Sequence, residues 1–290
     1  PAVAAPPGPP PAYPPLKGTA LLLGTLSLSL TTFMNVLDSS IANVSIPAIA
    51  GDLGVSPGQG TWVITSFGVA NAISVPLTGW LTQRFGAVRL FTMSVLLFVL
   101  TSWLCGFASS LEMLVLFRVL QGAVAGPMIP LSQTLLLSSY PPAKAGVALS
   151  LWGVTTLVAP VVGPLLGGYL VDAYSWHKIF DVNVPVGVLA VLLAAFVQKE
   201  WKNQTRSPFD WQGFAAIVLF MPLAIYALAR GNSPTNHDGW ASPTVIGCFA
   251  VAAVALAYFV RTELRSPAPL LQLRLLGDLL VHQRRAHEAG

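Results

Sequence analysis

Eight long apolar segments constrain this chain more than any other feature of its sequence. Each is close to the ~20 residues that cross a hydrocarbon core as an α-helix. None shows the sustained two-residue alternation typical of a barrel strand, so helices are the better interpretation. The sequence therefore predicts an all-α polytopic membrane protein. The segments are 21–42, 61–81, 90–109, 114–137, 145–171, 179–197, 211–229 and 244–260.

The composition supports a membrane protein over the soluble classes. Of the 290 residues, 54% are hydrophobic and 9% are charged, whereas a soluble domain carries roughly 25% charged residues. The formal net charge of +4 follows from the placement of basic residues relative to the membrane, so it needs no nucleic-acid partner.

The basic residues also indicate the orientation of the chain. With a cytoplasmic N-terminus, twelve of the fifteen Lys and Arg fall on the cytoplasmic side and two on the outer side. Cytoplasmic loops are enriched in Lys and Arg, so this bias predicts that orientation. The cytoplasmic set is Lys17, Arg84, Arg89, Lys144, Lys199, Lys202, Arg206, Arg261, Arg265, Arg274, Arg284 and Arg285.

Two ionisable side chains, Asp38 and Arg118, fall inside apolar segments. An ion at the bilayer centre costs about 2.5 to 3.5 kcal/mol even on the lenient insertion scale. One interpretation is structural: the two charges pair, or bond to neighbours such as Ser39, Asn43 and Gln121, and hold helices together. The other is functional: burial favours the neutral form of Asp38 and a nearby guanidinium favours its charged form. Moving Arg118 toward or away from Asp38 would then release or load a proton.

Small residues recur at helical spacing in the fourth segment. Gln121 and Gly122 lie three and four residues after Arg118, and Gly126 lies four residues after Gly122. At this spacing the four residues share one helix face. Gly122 and Gly126 form a small-xxx-small pair, which lets a second helix approach closely.

The fifth segment carries two neighbouring rows of small residues and prolines. We expect the prolines to bend this helix, because each removes a backbone hydrogen bond; the alternative is tight packing without motion. The rows are Ala159, Gly163 and Gly167, and Pro160, Pro164 and Gly168.

The loop between the second and third segments reads GWLTQRFGAVRLF and contains Gly79, Arg84, Gly86 and Arg89. Its arginines set topology or take part in gating, and composition favours neither.

The four His lie outside the segments, without HExxH, GxSxG or a Cys/His cluster, so the sequence points to no enzyme and no metal site. It also has no GxxxxGK[ST] phosphate loop, so it gives no sign of ATP use. Cys105 and Cys248 lie inside segments and are interpreted as packing residues.

Five motifs in order resemble the major facilitator superfamily, and within it the fourteen-helix drug:proton antiporters of the EmrB type. The resemblance runs from about Lys17 to Leu270. Its motifs are LDSSIANVSIP in the first segment, GWLTQRFGAVRLF in the loop, LVLFRVLQGAVAGP in the fourth segment, APVVGPLLGGYL in the fifth and WHKIFDVNVPVG at the start of the sixth.

The resemblance implies proton-coupled export of hydrophobic or amphipathic drugs from the bacterial inner membrane, with the proton as coupling ion and no other cofactor. Some relatives also dock a periplasmic adaptor protein that leads to an outer-membrane channel. The implied roles are proton coupling at Asp38 and Arg118, a hinge or seal at Pro160, Gly163, Pro164, Gly167 and Gly168, and a gate at Gly79, Arg84 and Gly86.

Three further residues, Asn43, Gln121 and Trp152, are candidates for lining a substrate cavity; Trp152 also fits the tryptophan belt at membrane interfaces. The chain departs from the family at two positions. Gln83 stands where the loop motif has Asp, which weakens a charge relay there. Asp181 occupies a usually apolar position and is interpreted as a solvated residue near the outer surface.

The predicted organisation has four parts. Residues 1–18 form a disordered cytoplasmic tail, 19–198 a six-helix transmembrane bundle, 199–262 two linking transmembrane helices, and 263–290 a cytoplasmic tail. Because the family has a second bundle beyond the linking helices, we expect a truncation or frameshift. The alternatives to a drug antiporter are therefore an inactive fragment, an assembly partner, or a carrier for another small molecule.

Overall fold

The computed structural model describes residues 15–197, 208–232, 236, 238–266 and 269–271. These residues are mostly helical and include no β-strand. The chain divides into two compact units, residues 1–205 and 206–290. The predicted N-terminal tail lies outside the described residues up to residue 14, and the predicted C-terminal tail from residue 272 onward.

Within the described part, eight helices are long and apolar enough to cross a membrane. This confirms the predicted fold class, with six of the helices in the first unit and two in the second. They are α1 (Gly18–Asp52), α2 (Pro57–Phe85), α3 (Ala87–Cys105), α4 (Leu111–Ser139), α5 (Pro142–Ala173), α6 (Lys178–Phe196), α7 (Trp211–Gly231) and α8 (Pro243–Arg265).

The largest difference from the predicted boundaries is at the end of α1. The apolar segment was expected to end at Ala42, but the helix continues to Asp52 and has 35 residues. Pro47 stands inside it without ending it, although a proline leaves the carbonyl four residues earlier, here that of Asn43, without its helical donor. At 1.5 Å per residue α1 is about 50 Å long, longer than a hydrocarbon core of ~30 Å.

Three of the spans are interrupted near a proline. In α2 the helical parts Trp62–Ser74 and Thr78–Phe85 lie on either side of a 3₁₀ turn, Val75–Leu77, that contains Pro76. In α4 the helical parts are Leu111–Ala125 and Met128–Ser139, on either side of Pro127. In α6 they are Lys178–Asp181 and Asn183–Val197. By contrast α5, with prolines at 160 and 164, remains one continuous α-helix over Ala145–Ala173. The prolines of α5 are therefore accommodated without a break.

The first unit is organised around α1, which contacts α2, α4, α5 and α6. Two clusters of buried apolar side chains fill the unit. From α1, Leu28 and Met34 belong to one cluster, and Leu37 and Ile41 belong to the other. Asp38 follows Leu37 directly, so it lies on α1 where the two clusters meet.

Gly122 and Gly126 bring α4 directly against α2. A Cβ on Gly122 would collide with the carbonyl oxygen of Phe67 and lie 3.0 Å from the Cβ of Ala70. A Cβ on Gly126 would collide with Oγ of Ser74. The close helix approach predicted from their spacing is therefore present, and α2 is the helix that approaches.

The two rows of α5 have different surroundings. Ala159, Gly163 and Gly167 are buried, and a Cβ on Gly163 would lie 2.6 Å from the Cβ of Ser40 on α1. Pro160 and Pro164 are exposed within the unit. A Cβ on Gly168 would have no neighbour within 4 Å. Only the first row packs on α1.

The turn between α2 and α3 depends on one glycine. Gly86 has φ 90° and ψ 153°, a region of backbone space that is essentially restricted to glycine. It separates the last residue of α2, Phe85, from the first of α3, Ala87, so the turn consists of a single residue. Gly79, in the same motif, lies inside a helix and has open space around the position of its Cβ.

In the second unit α7 and α8 pack against each other. Asp210 caps α7 by accepting the backbone N–H of Gly213 at 2.9 Å. Glu263, near the end of α8, is 1% exposed and accepts the backbone N–H groups of Leu270 at 3.2 Å and Leu271 at 3.0 Å. The helix continues past the predicted boundary at residue 262 to Arg265, so Glu263 is a buried helical residue that binds the chain after α8.

We predict that Gly122→Ala lowers the stability of the first unit by about 1 to 3 kcal/mol, because the new Cβ would push α4 away from α2. Gly168→Ala is the matched control, since its Cβ enters open space and alanine favours a helix by about 1 kcal/mol over glycine. Denaturant unfolding in detergent, followed by circular dichroism, measures both changes. Equal stabilities of the two variants would contradict the close packing.

We predict that Gly86→Ala is destabilising by about 1 to 3 kcal/mol, because alanine must adopt a strained backbone conformation at this turn. Gly79→Ala, seven residues earlier in the same motif, keeps helical geometry and is expected to be neutral or stabilising. The same unfolding measurement applies. A neutral Gly86→Ala would show that the turn readily adopts another conformation.

Candidate functional site

Asp38 and Arg118 form a buried ion pair between α1 and α4. Arg118 Nη1 donates to Asp38 Oδ2 at 2.6 Å. The two side chains are 1% and 0% exposed. The charges that the sequence placed inside the spans therefore meet, and both the structural and the functional interpretation are compatible with this pair.

The carboxylate of Asp38 is held by two further donors. Oδ1 accepts Nε2 of Gln121 at 3.1 Å and Nδ2 of Asn183 at 2.7 Å. Gln121 lies three residues after Arg118 on α4, so both reach α1 from one helix face, whereas Asn183 comes from α6. Hydrogen bonds donated to a carboxylate favour its charged form.

Arg118 is fixed by contacts to three helices. Its Nε donates to the carbonyl oxygen of Val63 on α2 at 3.0 Å, and its Nη1 also donates to Oε1 of Gln121 at 2.7 Å. The guanidinium lies 4.2 Å from the centre of the Phe67 ring, within the range of a cation–π interaction. Nη2 is buried and has no hydrogen-bond partner among the described residues. The close approach at Gly122 keeps Val63 and Phe67 of α2 within reach of Arg118.

The neighbours expected beside Asp38 are only partly correct. Gln121 is a partner, but Ser39 donates to the backbone oxygen of Asn35 at 3.4 Å and Asn43 is exposed on α1. At about 100° per residue, positions one and five residues after Asp38 point away from the direction of its side chain. The prediction of Ser39 and Asn43 as hydrogen-bond partners was therefore wrong, and the cavity role of Asn43 stays a prediction.

Trp152 takes part in a second polar cluster, between α1, α4 and α5. Its Nε1 donates to Oγ1 of Thr32 at 2.9 Å and to Oγ of Ser132 at 3.1 Å. The two hydroxyls are 2.9 Å apart and both residues are fully buried. Trp152 is half-buried, and its indole N–H faces these two buried hydroxyls. Its role in a substrate cavity stays a prediction.

The row of α5 that contains Pro160 and Pro164 makes one polar contact with α1. Because Pro164 has no N–H, the carbonyl oxygen of Pro160 lacks its helical donor. The hydroxyl of Ser40 donates to that oxygen at 3.4 Å. The predicted hinge residues thus separate into Gly163 and Gly167, which pack on α1, and the two prolines with Gly168, which do not.

The gating-loop residues Gly79, Arg84 and Gly86 lie apart from the ion pair. Arg84 is exposed, and its guanidinium lies 5.6 Å from the ring of Trp80.

Asp181, near the start of α6, pairs with Lys178 at 2.7 Å, and both side chains are partly exposed. The partial exposure of this pair fits the interpretation of Asp181 as a solvated residue.

Asn183 and Ser102 belong to the hydrogen-bond network around Asp38, although neither was predicted as a site residue. Nδ2 of Asn183 also donates to Oγ of Ser102 at 2.8 Å, and Ser102 donates to the backbone oxygen of Phe180 at 2.9 Å. The available signal was an amide side chain within an apolar run, two residues before Pro185. Predicted close to the start of the sixth segment, Asn183 was not placed at the depth of Asp38.

Comparison with known proteins supports one family. The family model of the Major Facilitator Superfamily matches residues 28–275. The chain is 52% identical over 264 residues to the multidrug export protein EmrB of Haemophilus influenzae, covering 91% of this chain and 51% of that protein. It is 49% identical over 267 residues to the fatty acid resistance protein FarB of Neisseria gonorrhoeae, covering 92% of this chain and 52% of that protein.

A solved structure agrees at the level of the fold. The peptide transporter POT in complex with sulfate superposes with a TM-score of 0.60 at 17% identity, covering 87% of this chain and 55% of that chain. The chain spans about half the length of the curated relatives it matches. The family match, the identities and the fold agree: this multi-pass membrane protein belongs to the Major Facilitator Superfamily.

Proposed function

We propose that this chain takes part in the proton-coupled efflux of hydrophobic or amphipathic compounds across a bacterial inner membrane, with the proton as the coupling ion. The observation that carries the proposal is the ion pair of Asp38 and Arg118, fully buried within membrane-spanning helices. Ionisable residues at such depth mark ion and proton pathways. The pair combines a group that can carry a proton with a group that controls whether it does.

The geometry supports a cycle in which α4 moves relative to α1. With Arg118 and Gln121 in place, two of the three side chains that donate to Asp38 belong to α4. Withdrawing this helix face would remove both donors together, including the positive charge of Arg118, and the carboxylate would then bind a proton. Return of α4 would expel the proton, so that protonation and helix position become coupled.

The same coupling would supply the free energy for export. Downhill entry of one proton supplies ~2.3 kcal/mol per 100 mV of membrane potential. Since about 1.4 kcal/mol corresponds to a tenfold ratio, one proton per cycle would sustain a gradient of tens-fold, and a pH difference would add to it. No nucleotide is required in this scheme.

The substrate class rests on the relatives and on the second polar cluster. EmrB is named for multidrug export and FarB for fatty acid resistance, and a fatty acid is an amphipathic compound with a long apolar chain. Asn43, Gln121 and Trp152 remain the candidate cavity residues. Gln121 is the one that touches the ion pair directly, so a substrate that bound its amide would also alter the environment of Asp38.

The location and partners belong to the same proposal. The excess of basic residues on one side of the spans supports a cytoplasmic N-terminus in the inner membrane. A periplasmic adaptor and an outer-membrane channel are proposed from the family resemblance alone. Gly163 and Gly167, packed on α1, support a hinge or seal at α5, with Gly79, Arg84 and Gly86 as the proposed gate.

We predict that Asp38→Asn abolishes proton-driven uptake of ethidium, a hydrophobic cation, into inside-out membrane vesicles that contain the 290-residue chain. Asparagine keeps the size of the side chain but cannot exchange a proton. Asp181→Asn, at a partly exposed carboxylate near the start of α6, is the matched control and retains uptake. Ethidium fluorescence after energisation is the readout.

Two results would contradict the proposal. Uptake by Asp38→Asn equal to that of the unchanged chain would remove the proton-carrying role. Absence of uptake by the unchanged chain would favour the inactive-fragment alternative for the chain as it stands. Uptake of a fluorescent fatty acid without uptake of ethidium would keep the proton-coupled proposal and restrict its cargo to amphipathic acids.

A further inference from the structure

Asn183 donates to Asp38 but has no role of its own in the proposed movement of α4. Asn183 is 1% exposed. It is the first residue of the second helical part of α6, directly after the interruption at Val182. One amide nitrogen, Nδ2, lies 2.7 Å from Oδ1 of Asp38 and 2.8 Å from Oγ of Ser102. The amide therefore connects α6 to α1 and to α3 at a single point.

The contact with Ser102 orients this amide. Ser102 is fully buried and its hydroxyl donates to the backbone oxygen of Phe180 at 2.9 Å. Its oxygen is thereby directed to accept from Asn183. With one proton of Nδ2 directed to Ser102, the other is directed to Asp38.

The donors of Asp38 thus come from two independent helices. Arg118 and Gln121 both belong to α4, whereas Asn183 belongs to α6. If α4 withdraws, Oδ1 keeps the Asn183 contact as long as α1, α3 and α6 stay together. One donor to the carboxylate is therefore separate from the moving helix face.

We propose that Asn183 is a positioning residue for proton exchange: it holds Oδ1 of Asp38 so that Oδ2 meets Arg118, and it favours the charged carboxylate independently of α4. This inference rests on the proposed proton-carrying role of Asp38. Asn183 itself gains and loses no proton; it positions the carboxylate that does.

Other titratable groups also surround Asp38. On α4 Arg118 is its ion-pair partner. On α3 the Sγ of Cys105 lies 3.7 Å from Oε1 of Gln121, the residue that donates to Asp38. On α6 Asp181 is paired with Lys178 at the exposed start of the helix. A substitution of Asn183 leaves all of these groups in the chain.

The test is an infrared titration of the purified 290-residue chain in lipid nanodiscs, in which the carboxylic-acid C=O band that Asp38→Asn removes is assigned to Asp38. Asn183→Leu keeps the approximate size of the side chain and removes the donor. We expect the titration midpoint of that band to move to higher pH by about one unit, because the charged form loses a hydrogen bond.

Two further variants separate positioning from packing. Asn183→Asp has the size of asparagine and places a second carboxyl group at 2.7 Å, so the two groups share a proton and the midpoint rises by more than in Asn183→Leu. Ser102→Ala removes the bond to Phe180 and the acceptor that orients the Asn183 amide, but it leaves the Asn183 donor in place, so its midpoint moves by less than that of Asn183→Leu.

The outcomes are distinguishable. A midpoint unchanged in Asn183→Leu, or moved equally in Ser102→Ala, overturns the positioning role while Asp38 remains a proton carrier. If Asn183→Leu does not elute as a folded species, the Asn183→Asp midpoint decides by the same criterion. A band that never titrates in the unchanged chain overturns the proton-carrying role, and the positioning role with it.

Discussion

The buried ion pair between Asp38 and Arg118 is the constraint that the packing of the surrounding helices has to satisfy. Removing one partner of such a pair leaves an uncompensated charge and typically costs 3 to 5 kcal/mol, even though the intact pair adds little net stability. The pair therefore requires α1 and α4 to be held together by other means. Those means are the apolar clusters on either side of it and the amide donors Gln121 and Asn183.

Glycine rows supply the close helix contacts around the pair. Gly122 allows α4 to lie on the backbone of α2, which keeps Val63 and Phe67 beside the guanidinium. Gly163 allows α5 to lie on α1 at Ser40, two residues after Asp38. Membrane helices gain no hydrophobic driving force from one another in lipid, so close packing of this kind is a major source of their association. The same small residues that position the charges therefore also hold the bundle.

Sequence reasoning located the features that depend on periodicity and left out those that depend on tertiary contact. The eight spans, the shared face of Arg118 and Gln121, and the packing role of Gly122 all follow from spacing along one helix. Asn183 reaches Asp38 because α6 packs against both α1 and α3, a contact between helices that no spacing along one helix reveals. The buried state of Glu263 depends in the same way on where the chain returns after α8. Ser39 and Asn43 failed as partners because nearness in sequence is not nearness on a helix face.

The unpaired Nη2 of Arg118 has an energetic consequence for alternating conformations. A buried N–H without an acceptor already carries a desolvation penalty of about 1 to 3 kcal/mol in this arrangement. Any second arrangement that offers this nitrogen an oxygen, whether from the backbone, a water molecule or a cargo molecule, regains that penalty. In the proposed cycle the guanidinium would therefore leave its carboxylate from a partly unsatisfied arrangement, which would lower the free-energy difference between the two ends of that cycle.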